Sequence, residues 1–279
     1  MSEYYVAGVT ERTDRERFPF GRNWTSFLGV LDDARIVEAE RSLTAMVGDR
    51  IGGSTFLDVG SGSGLFSLAA MRLGARRVHS FDADQDSVAC TKELRRRYFP
   101  TAEHWTVDHA SVLDAGYLQR LGTWDIVYSW GVLHHTGDMW KALDLVAGLV
   151  APTGRLFIAI YNDQGPLSRF WASVKRTYNK GPIRRVMLSG VFGTWWVVRG
   201  AGIDLVRVKN PLTRYRTYRT SRGMSVVHDW RDWLGGYPFE VATPAAVLDF
   251  CRARGFSLIK LKTCGGRIGC NEYVFERGS

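Results

Sequence analysis

Three alternating glycines constrain the fold of this chain more than any other feature. Gly60, Gly62 and Gly64 lie in FLDVGSGSGLFSLAA, residues 56–70, between an apolar stretch and a pattern typical of a helix. Glycine lets the backbone turn tightly and lets a ligand lie against it, with a helix N-terminus behind. Asp82 ends the next apolar stretch, the position from which a carboxylate can accept both hydroxyls of a ribose. We therefore expect a nucleoside-containing cofactor at this turn.

Short β-branched stretches alternate with amphipathic ones, which predicts βαβ units and a parallel sheet. The candidate strands are 55–59, 77–82, 105–107, 124–130, 154–161, 256–263 and 271–277. The candidate helices are 65–73, 86–97, 138–149 and 244–254. The last two strands are too close together for a helical crossover, so we expect them to form an antiparallel hairpin.

Composition narrows the class of protein. With 279 residues, of which 45% are hydrophobic, the chain can bury a large core. It opens without the apolar region of a secretory signal, and no stretch reaches the roughly twenty apolar residues of a spanning helix. Its four cysteines are scattered and lack zinc-site spacing. We expect a cytoplasmic protein with reduced cysteines and no metal.

Longer motifs make the chain similar to a known family. LDVGSGSG with FDAD, then WDIVYSWGVLHHTGDMWKAL and GRLFIAIYN, resemble the class I S-adenosylmethionine-dependent methyltransferases, the group that includes ubiquinone-pathway and natural-product enzymes. The resemblance covers about residues 50–162 and the closing hairpin. It implies S-adenosylmethionine as cofactor, S-adenosylhomocysteine as product, and an α/β fold. That fold is a Rossmann-like, doubly wound, seven-stranded sheet with its last strand antiparallel. A nicotinamide dehydrogenase shares the glycine turn and stays an alternative.

The resemblance also implies roles for individual residues. Asp58 and Gly60 would lie against the methionine amino group, Gly62 and Gly64 would make room for the cofactor, and Asp82 would hold the ribose. The other implied cofactor contacts are Ser111, Val112 and Asp114 at the adenine, Trp130 at the methionine end, and Asn23 and Trp24 in an N-terminal lid. Helix capping is an equal interpretation of Ser111 and Asp114, and core packing is one of Trp130.

Methyl transfer from a sulfonium needs an aligned acceptor, a dry site and, for a hydroxyl acceptor, removal of a proton. Neutral imidazole is the usual base near physiological pH. The candidate catalytic residues are His134, His135 and His228, with Asp229 as a partner, and we favour His228 as the base. The candidate acceptor-site residues are Tyr161, Arg222, Trp230, Tyr237 and Glu240. A loop histidine bonded to backbone is the structural alternative for His228.

The predicted organisation has four parts: an N-terminal lid and helix, a cofactor-binding core, an insertion after the fifth strand, and a closing helix with the hairpin. Their bounds are 1–48, 49–163, 164–235 and 236–279. The insertion contains 14 Lys and Arg against three acids, a formal charge of +11, whereas the whole chain carries +9. It also contains five of the ten tryptophans. A core sheet needs neither feature, so we expect a lid over the acceptor.

Three partners fit such an insertion. We favour a small-molecule or glycan-like acceptor, anionic and lipid-linked ones included, methylated on oxygen. RNA is the second candidate, through the Arg- and Tyr-rich residues 214–222, which also suit an exposed strand. Residues 183–203 could lie in a membrane interface, and a solvated face with an oligomer-forming apolar stripe is the plainest interpretation. A cofactor-binding scaffold without turnover is the non-enzymatic alternative.

Overall fold

The computed structural model describes Trp24, Leu28, Gly29 and residues 31–206, 234–266 and 269–279; at 196–197, 201 and 203–206 only the backbone is described. The strands are β1 (Thr55–Val59), β2 (Arg77–Asp82), β3 (Trp105–His109), β4 (Trp124–Trp130), β5 (Val150–Tyr161), β6 (Phe256–Lys262) and β7 (Cys270–Arg277). The helices are α1 (Asp33–Val47), α2 (Leu65–Arg72), α3 (Gln85–Tyr98), α4 (Ala115–Leu121), α5 (Met139–Gly148), α6 (Pro166–Asn179), α7 (Pro182–Val206) and α8 (Pro244–Arg252). Short 3₁₀ turns cover Gly48–Ile51 and Leu133–His135.

The seven strands form one sheet in the order β3-β2-β1-β4-β5-β7-β6. β1 pairs in parallel with both β2 and β4, and β4 pairs in parallel with β5. β7 lies antiparallel between β5 and β6. This confirms the predicted α/β fold and its antiparallel last strand. The order reverses between β1 and β4, and ligands of such sheets bind at the carboxyl ends of the strands beside that switch point.

Both faces of the sheet are covered, which explains why its central strands are nearly continuous apolar sequence. Helices α1, α2 and α3 pack on one face, where Ile36, Leu68 and Leu94 are buried. Helices α4, α5 and α8 pack on the other face, where Leu143 and Val247 are buried. The two layers of helices hold the sheet rigidly, so the turns at its carboxyl edge are built on a fixed support.

β5 is longer than the sequence predicted, because it starts at Val150 and not at 154. The sequence APTG, residues 151–154, is typical of a turn, but β5 runs through these residues and contains a β-bulge there. Val150 faces Trp124, and the next pair joins Arg155 to Ile126. Thr153 has a φ of 58° within this bulge. β3 likewise extends to His109, two residues past the predicted end.

The predicted insertion follows β5, as expected, and its described part is a helical hairpin. α6 begins at Pro166 and α7 at Pro182. The two helices contact each other through Trp171 and Phe192, whose ring centroids are 5.2 Å apart. Within the described ranges, no helix combines the length and the apolar character that crossing a bilayer requires. The rest of the insertion, residues 207–233, lies outside the described residues.

Candidate active site

The glycine turn, residues 60–64, leads from β1 into α2. Gly60, Gly62 and Gly64 have φ values of 77°, 54° and 80°, a conformation that residues with a side chain rarely adopt. A Cβ atom on Gly60 would lie 2.5 Å from both γ-carbons of Val132. A Cβ atom on Gly64 would lie 2.8 Å from Cα of Thr91. The turn therefore needs glycine for its backbone conformation and, at Gly60 and Gly64, for space as well.

Asp82 closes the turn from the neighbouring strand. Its Oδ2 accepts a hydrogen bond from the Gly62 N–H at 2.9 Å, and its Oδ1 accepts one from the Asp84 N–H at 2.9 Å. Burial raises the pKa of Asp82. Each carboxylate oxygen has a second lone pair, so the group can still accept hydrogen bonds from a ligand. The predicted acid thus lies beside the predicted turn.

Trp24 covers the glycine turn from the N-terminal side. A Cβ atom on Gly62 would lie 3.2 Å from Cε2 and Nε1 of the Trp24 indole. The structure therefore places the predicted lid tryptophan against the turn. Asn23, predicted beside it, lies outside the described residues.

Asp58 faces the protein interior and not the surface of the turn. It is buried, and its carboxylate accepts a hydrogen bond from the Ser67 hydroxyl at 2.5 Å. Ser67 also contacts Ser80 Oγ at 2.6 Å, and Trp105 Nε1 donates to the same oxygen at 3.0 Å. Burial raises the pKa of Asp58 to about 7. The carboxylate of Asp58 thus belongs to a buried polar chain, and its contact with the methionine amino group of a cofactor stays a prediction.

The predicted adenine contacts lie at the carboxyl end of β3, in a helix start. Asp114 is the N-cap of α4, and its Oδ1 accepts a hydrogen bond from the Tyr117 N–H at 2.9 Å. Ser111 Oγ accepts one from the Leu113 N–H at 3.2 Å. Val112 is part of the core. The capping interpretation thus describes the bond that Asp114 makes, whereas the bond of Ser111 lies in the turn before the helix.

Trp130, at the end of β4, is 45% exposed. It is therefore not a core residue, and its ring is accessible at the carboxyl edge of the sheet.

His134, His135, Tyr161 and Lys175 form the second part of the site, called here the histidine cluster. The ring of His134 lies 4.1 Å from that of Tyr161 and 4.5 Å from that of His135, between centroids. His134 is fully buried. Among the described residues, neither of its ring nitrogens makes a hydrogen bond of regular geometry. Burial holds the pKa of His134 well below the usual value, the charges of His135 and Lys175 lower it further, and the nearby Ala159 carbonyl acts in the opposite direction.

His135 is half-buried and held in one tautomer. Its Nδ1 lies 2.6 Å from the carbonyl oxygen of Pro238. A carbonyl only accepts hydrogen bonds, so Nδ1 is the donor and Nε2 is the basic nitrogen of the neutral ring. Burial lowers the pKa of His135 to about 4. The ring is therefore neutral throughout the physiological range.

Lys175 is a member of the cluster that the sequence analysis missed. It projects from α6, is fully buried, and places Nζ 5.0 Å from the centroid of the Phe239 ring. Burial lowers the pKa of Lys175 to about 7. Its charge further lowers the pKa of both histidines. The sequence does contain one indication that Lys175 is buried. Its spacing from Ser168 and Tyr178 places the three residues on one face of α6, and they are the buried residues of that helix.

Glu240 fastens the segment after the insertion to the cluster. Its two carboxylate oxygens accept hydrogen bonds from the Gly137 N–H at 2.8 Å and the Met139 N–H at 3.3 Å, where α5 starts. Its own N–H donates to the His134 carbonyl at 2.9 Å. Through these bonds Glu240 links its own segment to the 3₁₀ turn Leu133–His135 and to the start of α5, a different role from the predicted contact with an acceptor. Tyr237 is half-buried next to Pro238.

The remaining predicted site residues lie outside the described part of the chain. They are His228, Asp229, Arg222 and Trp230. Across the described ranges, no group of three or more His, Cys, Asp or Glu side chains is arranged to hold a metal ion.

Residues 57–156 match a methyltransferase domain. The chain is 52% identical over 42 residues to the ribosomal protein L11 methyltransferase of Enterococcus faecalis, which is 15% of this chain and 13% of that protein. It is 28% identical over 110 residues to the ubiquinone biosynthesis O-methyltransferase of Rhizobium johnstonii, 39% of this chain and 42% of that protein. The chain thus spans under half the length of these two relatives.

Similarity in structure extends further along the chain. The crystal structure of magnesium protoporphyrin IX methyltransferase from Synechocystis PCC 6803, with bound SAH, matches with a TM-score of 0.51 and 15% sequence identity. The match covers 98% of this chain and 91% of that one. At this identity the match describes the fold alone. The resemblance to class I methyltransferases is therefore confirmed for the domain and for the fold.

Proposed function

We propose that this protein is an S-adenosylmethionine-dependent methyltransferase that methylates an oxygen of a small-molecule or glycan-like acceptor. One observation carries the proposal: the glycine turn, closed by Asp82, lies at the switch point of a sheet whose last strand is antiparallel. Its methyltransferase-domain match supports the same activity and argues against a nicotinamide dehydrogenase.

The residues at the turn fit the proposed cofactor. Gly60 and Gly62 leave bare backbone where a side chain would meet Val132 or Trp24. Asp82 keeps acceptor capacity for the two ribose hydroxyls, and the Trp24 indole lies against the turn. When bound, S-adenosylmethionine supplies a methyl group that is already activated as a sulfonium.

The histidine cluster is the proposed acceptor side. His135, held through Nδ1 by the Pro238 carbonyl, would orient the acceptor hydroxyl as a neutral imidazole. A ring with a pKa of about 4 is a weak base, so alignment and exclusion of water contribute more than proton removal. Lys175, partly neutral near pH 7, is a positioning residue that acts through both histidines. Tyr161 packs on both imidazole rings.

The test is methyl transfer from methyl-labelled S-adenosylmethionine. The purified chain is incubated with an extract separated into water-soluble, glycan, lipid, RNA and protein fractions. The proposal predicts label in the water-soluble, glycan or lipid fraction, and loss of that label in Asp82→Ala. The matched control is Asp86→Ala, because Asp86 is an exposed acid in the first turn of α3, four residues from Asp82.

Each other outcome contradicts a stated part of the proposal. Label in RNA or in protein would show that the proposed acceptor class is wrong, although the protein would still be a methyltransferase. Cofactor binding without label in any fraction would favour a scaffold. A chain that binds neither S-adenosylmethionine nor S-adenosylhomocysteine would overturn the proposal as a whole.

A further inference from the structure

The outer face of α7 is apolar and exposed. Six of its side chains are between 51% and 75% exposed and form what is called here the apolar stripe: Ile183, Val186, Met187, Val191, Trp195 and Val198. At about 100° per residue these positions fall within roughly half of the helix circumference. Contiguous apolar surface of this kind marks an interaction site more often than scattered single residues do.

Arginines accompany the apolar stripe. Arg184 is exposed within the first turn, and Arg199 lies over the Trp195 ring at 5.5 Å from its centroid. Arg185 reaches the other way, over Tyr178 at 5.6 Å. An exposed apolar face with basic residues beside it and an aromatic at its edge is typical of helices that lie in a membrane interface.

The opposite side of the same hairpin contacts the candidate active site. Lys175 and Tyr178 of α6 are buried, and Asn179 Nδ2 donates to the Gly235 carbonyl at 2.8 Å. α7 packs on α6 through Phe192 and Trp171. The hairpin therefore has an inner side toward the histidine cluster and an outer side that carries the apolar stripe.

We infer that the apolar stripe docks the protein on an anionic lipid bilayer, with α7 lying in the headgroup region. The positive charge of this region favours an anionic bilayer over a second copy of the chain as the partner of the apolar stripe. The part of the insertion that the structure describes, residues 164–206, contains seven Lys and Arg against one acid, a formal charge of +6, which attracts anionic headgroups. A second copy of the chain would bring the same positive charge against the stripe, which opposes self-association. This inference does not depend on the proposed methyl transfer.

The experiment is flotation of the full chain with phosphatidylcholine vesicles, with and without phosphatidylglycerol. We expect at least tenfold stronger partitioning onto the anionic vesicles and weaker partitioning at high salt. The stripe variant is Met187→Gln with Val191→Gln, which we expect to lose at least tenfold of this binding. The matched control is Ile259→Gln with Leu261→Gln, since these are exposed apolar residues on β6, and we expect it to bind like the wild type.

A second variant, Arg184→Gln with Arg199→Gln, changes no apolar residue and should also weaken binding to the anionic vesicles. Circular dichroism and urea unfolding verify that each variant is folded. Absence of binding to anionic vesicles, or equal binding by the wild type and the stripe variant, would overturn the inference. Light scattering that finds a dimer, lost in the stripe variant without any vesicle binding, would assign the stripe to a second copy and overturn it too.

Discussion

The glycine turn and the histidine cluster lie at the same carboxyl edge of the sheet, on neighbouring strands, yet they are built differently. At the turn, Asp82 accepts a hydrogen bond from the Gly62 backbone, and burial raises the pKa values of Asp82 and of Asp58 near the end of β1. The cluster buries imidazoles and an amine whose pKa values burial lowers. The same physical cause, loss of hydration, keeps both kinds of group closer to neutral.

The two regions also differ in how local their construction is. The glycine turn is made by adjacent residues and one bond from the next strand. The histidine cluster depends on α6 and on the segment that contains Pro238 and Glu240, about a hundred residues away from His135 along the chain. A local turn can be identified from the sequence alone, whereas a cluster of residues distant in sequence can be identified only from the three-dimensional structure.

Gly60→Ala should have the largest effect and would test how strictly the turn is built. The new Cβ would meet Val132 at 2.5 Å in a left-handed backbone conformation. We expect at least hundredfold weaker binding of S-adenosylmethionine by calorimetry. Gly53→Ala is the control, because Gly53 has a similar φ of 73° and open space around it. If both variants bind the cofactor equally well, the steric argument fails.

His135→Asn should separate the two regions. We expect the affinity for S-adenosylmethionine to stay within about twofold of the wild-type value, while kcat for methylation of the acceptor identified by labelling falls roughly tenfold or more. The control is His104→Asn, which changes an exposed histidine and should leave both quantities unchanged. Equal losses of cofactor affinity and kcat would mean that the cluster is not a separate acceptor side.

The smallest effect concerns pH and stability, and it should have opposite signs in the two regions. Because the folded pKa of Asp58 is about 7, above its value in the unfolded chain, its contribution to stability is present near pH 4 and is lost as the pH rises to 7. The folded pKa of Lys175 is about 7, below its unfolded value, so its contribution is present above pH 10.5 and is lost as the pH falls to 7.

Urea unfolding across pH measures both contributions as differences from a neutral variant. The free energy of unfolding of the wild type minus that of Asp58→Asn should fall between pH 4 and 7. The wild type minus Lys175→Met should rise between pH 7 and 10. If the two differences in the free energy of unfolding change with pH in the same direction, burial does not act on Asp58 and Lys175 with opposite signs.

Much of the fold could be predicted from the sequence, because strand and helix periodicity are local properties. All seven strands fall where their apolar stretches predicted, and the short spacing before β7 indicated the antiparallel hairpin. The bulge at 151–154 was missed, since a turn and a bulge use the same residue types.

The parts of the site that depend on backbone conformation could be predicted from the sequence. The parts that depend on the direction of a side chain were predicted less well. Gly60, Gly62 and Asp82 lie together as their spacing predicted. Asp58 turns inward and Glu240 clamps α5, and neither direction is encoded in a local pattern. Lys175 was missed because a lysine is rarely fully buried, although helical spacing puts it on the same face of α6 as Ser168 and Tyr178.

The most direct test of the central claim is the affinity of the wild type and of Asp82→Ala for S-adenosylmethionine, by calorimetry, with Asp86→Ala as the control. We expect measurable binding by the wild type and the control, and at least tenfold weaker binding by Asp82→Ala, about 1.4 kcal/mol. Equal affinity in all three proteins, or no binding by the wild type, would contradict it.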